Sequence, residues 1–203
     1  MTFAGFPEDC LAFYRELARR NNREWFEAHK KDFDRQVMVP AREFVAAMGQ
    51  KLKTISPGLI ADPRVNRSLF RLQRDTRFSP DKTPYKTHLA LWFWEGAGPR
   101  MECSGYYFHL EPNRLMLAAG IYLFPKGLLE AFRERVAHPR QGAALARAVA
   151  EAQKDGQYHL GGQHYKKTPR GYDPAPKNAE LLRHNGLYLW MDQEPPPALH
   201  SAR

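Results

Sequence analysis

Three consecutive stretches near the middle of the chain are built from strand formers: "THLALWFWE" (87–95), "SGYYFHLEP" (104–112) and "RLMLAAGIYL" (114–123). The links between them, "EGAGPR" and "EPN", are short and of turn type. Strands joined this closely predict an antiparallel meander. The stretches on either side have a different period. The expected fold is therefore α+β, with an antiparallel β-meander sheet of about four strands packed against N-terminal and C-terminal helices.

The N-terminal third reads as helices over about 7–55. Pro7 suits a first turn, with Glu8 and Asp9 near the positive end of the dipole, and Leu11, Phe13, Tyr14 and Leu17 form an apolar face. Asn22 is a candidate cap for a second helix carrying Trp25, Phe26, His29 and Phe33. Pro40 predicts a break or kink, and "SPG" at 56–58 ends the helical pattern. Further helices are expected over about 125–185, beginning after Pro125, interrupted at Pro139, and closing with a short helix in "PAPKNAELLRHNG". "VNRSLFRLQRD" (65–75) suits a strand better than a helix, because two prolines soon come after it and its apolar residues are few, so strands are expected over about 65–123. One domain over 1–195 is expected, with 196–203 as an unstructured tail.

Apolar residues make up 43% and charged residues 26%, so the chain is composed to bury a core. Cys10 and Cys103 stand far apart and suggest neither a disulfide framework nor a CxxC motif. The N-terminus has neither a basic nor an apolar leader region, and no apolar run approaches the roughly 18 residues of a membrane span. A cytoplasmic protein without membrane contact is the expectation. The eight histidines are scattered without ligand spacing, which predicts no metal site. Walker, GxGxxG, HExxH and GxSxG patterns are absent, and no cofactor is indicated. Trp92 and Trp94 fall on one strand face, expected as core beneath the helices, and His109 is expected as a hydrogen-bonded sheet residue.

Charge points to a place. Of the formal net +9, +5 lies between Arg64 and His88: Arg64, Arg67, Arg71, Arg74, Arg77, Lys82 and Lys86 against Asp75 and Asp81. Like charges repel by roughly 1 kcal/mol per pair at 4 Å even in water, so such a cluster calls for compensation. A bound anion supplies it in one reading, with Arg67, Arg71, Arg74, Arg77, Lys82 and Lys86 as cations, Tyr85 as a hydroxyl donor, and Asp75 and Asp81 as supporting acids. Internal carboxylates, including Glu24, Glu27 or Asp32 of the helices, supply it in the other. A second segment, "HYKKTPRGYD", repeats the composition, and Lys167 and Arg170 are expected to join the first group in one site.

The segments "LFRLQRDTRFSPDKTPYKTH", "AAGIYLFP" and "KKTPRGYDPAPKNAELLRH", taken in order, resemble a bacterial family known as domain of unknown function 2461. The resemblance spans nearly the whole chain. It implies a compact α+β domain of about this size and carries no activity with it. It also implies further helix after "GLYLW", where this chain has "QEPPPALHSAR".

These features support two functional expectations, the first of them preferred because the excess charge is local rather than spread along a long stripe. One is a site for a small phosphorylated or carboxylated ligand, with or without catalysis, which requires a concave pocket. The other is a nucleic-acid-binding module, which requires an open basic surface and a steep salt dependence. A purely structural salt-bridge network is the third alternative.

Overall fold

A computed structural model of the chain describes residues 3–172 and 178–201. The fold is α+β. Its antiparallel sheet has six strands in the order β1-β2-β3-β4-β6-β5: β1 Leu59–Ile60, β2 Leu89–Glu95, β3 Ser104–Glu111, β4 Arg114–Ile121, β5 His159–Gln163 and β6 His184–Gln193. The expected meander is β2, β3 and β4. The chain divides into two compact units interleaved in sequence. One unit holds Met1–Trp94, Tyr107–Leu117 and Asp192–Arg203; the other holds Glu95–Tyr106 and Ala118–Met191.

In the first unit, helix α1 (Glu8–Arg19) buries Cys10, Leu11, Phe13, Tyr14 and Leu17. Burial pushes the Cys10 thiol up to about 12, so it behaves as a small apolar side chain. Asn22 caps α2 (Arg23–Ala28), its side chain accepting from the Trp25 N–H at 2.9 Å. After α3 (Lys30–Phe33), the chain widens into a π-helical turn, Asp34–Met38, before α4 (Val39–Lys53). Pro40 accounts for the irregularity. It has no N–H for the carbonyl four residues back, and its ring crowds that carbonyl, so the turn before it loosens while Pro40 occupies the first turn of α4.

Strand β3 alternates as a half-covered strand should. Phe108 and Leu110 are buried, and Phe108 meets Phe44 at 4.8 Å and Phe6 at 5.9 Å. Tyr107, His109 and Glu111 project to the opposite face. Trp92 lies with Tyr107 at 6.1 Å, and Trp94 lies beneath the Arg67 guanidinium at 5.1 Å. The two tryptophans are buried, 4% and 3% exposed, but on the face away from Phe108 rather than beneath Phe6 and Phe44.

The strand expected over 65–75 is not continuous. Only isolated bridges form: Leu69 with Leu91 and Gln73 with Tyr85, both antiparallel, and Val65 with Leu69, parallel. The backbone pairs at intervals: Trp92 N donates to Ser68 O, Phe70 N to Ala90 O, and Lys86 N to Leu72 O. Asn66 has φ +66°, which breaks extended backbone just before the pairing starts. The segment is thus an interrupted edge partner of β2.

In the second unit, α5 (Lys126–Ala137) and α6 (Pro139–Ala152) pack around Phe124, Phe132, Val136, Leu181 and Leu182. The short helix expected in "PAPKNAELLRHNG" falls partly on residues 173–177, outside those described; Leu181–Arg183 form a 3₁₀ turn, and β6 begins at His184. The region expected as helix to 185 therefore includes β5 and the start of β6. The segment expected as an unstructured tail is anchored within the first unit. Pro197–His200 form a 3₁₀ turn, Phe6 N donates to Leu199 O at 2.9 Å, and the His200 ring meets Phe6 O at 2.7 Å.

Candidate functional site

The basic segment lies wholly in the first unit, and its aspartates organise it. Asp62, Asp75 and Asp81 each accept the backbone N–H two residues ahead, at 3.1, 3.3 and 2.9 Å, closing three Asx-turns. In two of them the residue two ahead is an arginine whose side chain returns to the same carboxylate. Arg64 reaches Asp62 through Nε and Nη2 at 2.9 and 2.6 Å; Arg77 reaches Asp75 through Nε and Nη2 at 3.0 and 2.7 Å. Arg67 shares Asp62 at 3.1 Å.

The third turn is a clamp. Thr83 donates its N–H and hydroxyl to Asp81 at 2.9 and 2.8 Å, and Arg74 Nη1 donates to Asp81, to the Thr83 hydroxyl and to Thr83 O. Arg74 N also donates to Pro84 O at 2.9 Å, joining the two ends of the loop. The carboxylates respond as expected. The Arg77 side chain holds Asp75 down at about 2, and the Thr83 donors, followed by Arg74, hold Asp81 down at about 2. Hydrogen bonds from Arg64, with Arg67, hold Asp62 well below the carboxylate range.

The remaining cations are arranged differently. Arg71 and Lys82 are exposed; Lys82 donates to the Thr76 carbonyl at 2.9 Å, and Asp75 acts on Arg71 electrostatically. Lys86 lies over the Phe70 ring at 5.4 Å. Arg71, Lys86 and His88 line a cavity of about 10 Å³, room for about one water.

Tyr85 does not serve as a surface donor. It is 6% exposed, with its ring against Phe26 at 4.4 Å, and burial raises its hydroxyl pKa. Its backbone is gripped by Asn21, whose side chain donates to Tyr85 O at 2.8 Å and accepts from Tyr85 N at 3.1 Å. The carboxylates that hold Arg64, Arg67, Arg74 and Arg77 come from the segment itself and from Asp62; Asp32 of α3 pairs with Arg35. Asp62 and Asn21 are the residues that sequence reasoning missed. The repeated Asp-x-Arg spacing in "DPR" and "DTR" is the signal that reveals Asp62. Asn21 is 64 residues from its partner and leaves no local trace.

Lys167 and Arg170 are exposed and belong to the second unit, so the two basic segments do not share a compact unit. There, Arg133 stacks on Tyr165 at 5.0 Å, and Arg183 Nε donates to Tyr165 O at 3.1 Å.

Sequence reasoning expected His109 as a hydrogen-bonded sheet residue, and it is one, hydrogen-bonded through one ring nitrogen. Its Nδ1 meets the Tyr107 hydroxyl at 3.1 Å, its Nε2 lies 3.4 Å from Glu111, and its ring stacks on His88 at 4.1 Å. Among the described residues, no group of three or more His, Cys, Asp or Glu is placed to hold a metal ion, and no helix is long and apolar enough to cross a membrane.

No curated protein and no solved structure matches the chain. A family model described as "conserved hypothetical protein (DUF2461)" matches residues 9–202, a span that contains the three sequence segments, which lie in order between residues 69 and 184. The chain belongs to the DUF2461 family.

Proposed function

We propose that the surface formed by residues 62–88 binds the phosphate backbone of a nucleic acid. The observation that carries this reading is the exposed excess of charge: of the seven cations from Arg64 to Lys86, four are held on three aspartates, and Arg71 and Lys82 face solvent. The Asx-turns and the Arg74 clamp order the loop beforehand, which lowers the entropy lost on binding. A small enclosed ligand is favoured less. The cavity beside Arg71 and Lys86 has room for about one water, and Tyr85, the hydroxyl expected to converge on such a ligand, is buried and does not line it.

The test is fluorescence anisotropy with a labelled 20-nucleotide single strand and the matching duplex between 50 and 200 mM salt. Neutralisation of about four phosphates gives a log–log salt slope of roughly −3 to −4. Arg71→Ala and Lys82→Ala should each weaken binding and reduce the slope by about 1, with unchanged thermal melting. Absence of binding at 50 mM salt and micromolar protein sinks the proposal. Retention of inorganic phosphate under the same conditions would then point back to a small anion.

A further inference from the structure

Phe78 is 92% exposed, more than any other large hydrophobic side chain among the described residues. It sits at the tip of the loop clamped by Arg74, between Arg77 and Ser79, with Pro80 stiffening the backbone two residues on. Burying a phenylalanine gains about 1.5–3 kcal/mol, so leaving one in water on an ordered loop forgoes a contribution that folding normally takes. Its ring contact is with the Arg77 guanidinium, 5.6 Å from the ring centre, and that guanidinium is itself held on Asp75. At this exposure one ring face remains open to solvent.

We infer that Phe78 is a stacking platform for an unpaired base, which makes the preferred partner single-stranded nucleic acid. This rests on the phosphate-backbone reading above and adds a second, different contact to it. An aromatic ring among exposed cations suits a strand whose phosphates meet the cations while a base covers the ring. A duplex keeps its bases stacked inside and offers the ring nothing comparable. A lipid surface fits less well. The residues flanking Phe78 are charged, polar or proline, and Asp75 and Asp81, two of the three carboxylates, lie within three residues of it.

The experiment compares wild type, Phe78→Ala and Phe78→Trp in anisotropy titrations with the 20-nucleotide single strand and its duplex. It adds sedimentation with phosphatidylserine-containing vesicles. Wild type should prefer the single strand. Phe78→Ala should lose roughly tenfold in single-strand affinity, with the salt slope and duplex affinity unchanged, and Phe78→Trp should retain or exceed wild-type affinity. If Phe78→Ala binds the single strand as tightly as wild type, the stacking role is overturned and the phosphate surface stands. If wild type binds neither nucleic acid, both readings fall. If the substitution abolishes vesicle sedimentation while nucleic-acid binding is unaffected, the ring serves a lipid surface and the inference is wrong.

Discussion

Each aspartate of the basic loop serves two purposes. Its oxygen closes a turn by accepting a backbone N–H, and its charge holds a guanidinium. The two can be separated. Asp75→Asn keeps an acceptor for the turn and removes the charge that restrains Arg77 and acts on Arg71. Because Arg77 and Asp75 form an exposed pair, stability should hardly change in urea denaturation. Single-strand affinity should rise several-fold at 50 mM salt; a fall would mean that Asp75 itself contributes to the contact. Asn21 lies at the other extreme. It satisfies both backbone groups of Tyr85 from across the fold, so Asn21→Ala should destabilise by about 1–3 kcal/mol, measured by the same denaturation. Charge density alone brought Arg71, Arg74, Arg77 and Lys82 into view. It misplaced Tyr85, because a tyrosine between Pro84 and Lys86 reads as surface until Phe26 is seen against it.

The elements that were hardest to anticipate are those built on glycine. β5, "HLGGQ", and β6, which opens "HNGLYLW", have weak strand signatures, since glycine is a poor strand former. Close approach explains them. β5 pairs antiparallel with β6, Leu160 opposite Leu189, and its register shifts between Gly161 and Gln163. Gly162 takes φ +97° at that shift, and a Cβ there would lie 2.1 Å from Gly186 O. Gly162→Ala should therefore cost roughly 1–3 kcal/mol or more, read from the midpoint of chemical denaturation. A midpoint equal to wild type would mean that β5 is not held as described. Helices were easier to anticipate, since caps and apolar period are local: α1 and α4 follow their patterns, and Pro40 marks the loosened turn between α3 and α4.

Acid should destabilise the protein in two stages. Burial, followed by the neighbouring charges of His109 and Lys86, lowers His88 from its ordinary 6.5 to about 3. The folded ring thus stays neutral while the unfolded chain takes up a proton, and stability falls as pH drops from about 6.5 towards 3. The slope from this residue is at most about 1.4 kcal/mol per pH unit. Burial lowers His109 and His184 as well, so they push in the same direction. Asp75 and Asp81 are held at about 2; their contribution is complete above the ordinary carboxylate range and is lost as pH falls through about 2. His88→Phe keeps a ring to stack on His109 and should flatten the dependence of stability between pH 6.5 and 4, followed by denaturant midpoints across that range. An unchanged slope would exclude His88 as a cause.

Local chemistry settled much of this chain before any tertiary contact. Alternation, helical period, turn residues and proline placement act over a few neighbours, so the α+β class, the meander and the basic loop were written in consecutive residues. Tertiary structure decided what depends on distant partners. Pairing with β6 turned a glycine-rich stretch into a strand, Asn21 tied down a loop 64 residues away, and backbone contacts with β2 made 65–75 an interrupted edge. Such choices come from hydrogen-bond satisfaction and close packing between segments, and neither leaves a periodic mark in the sequence.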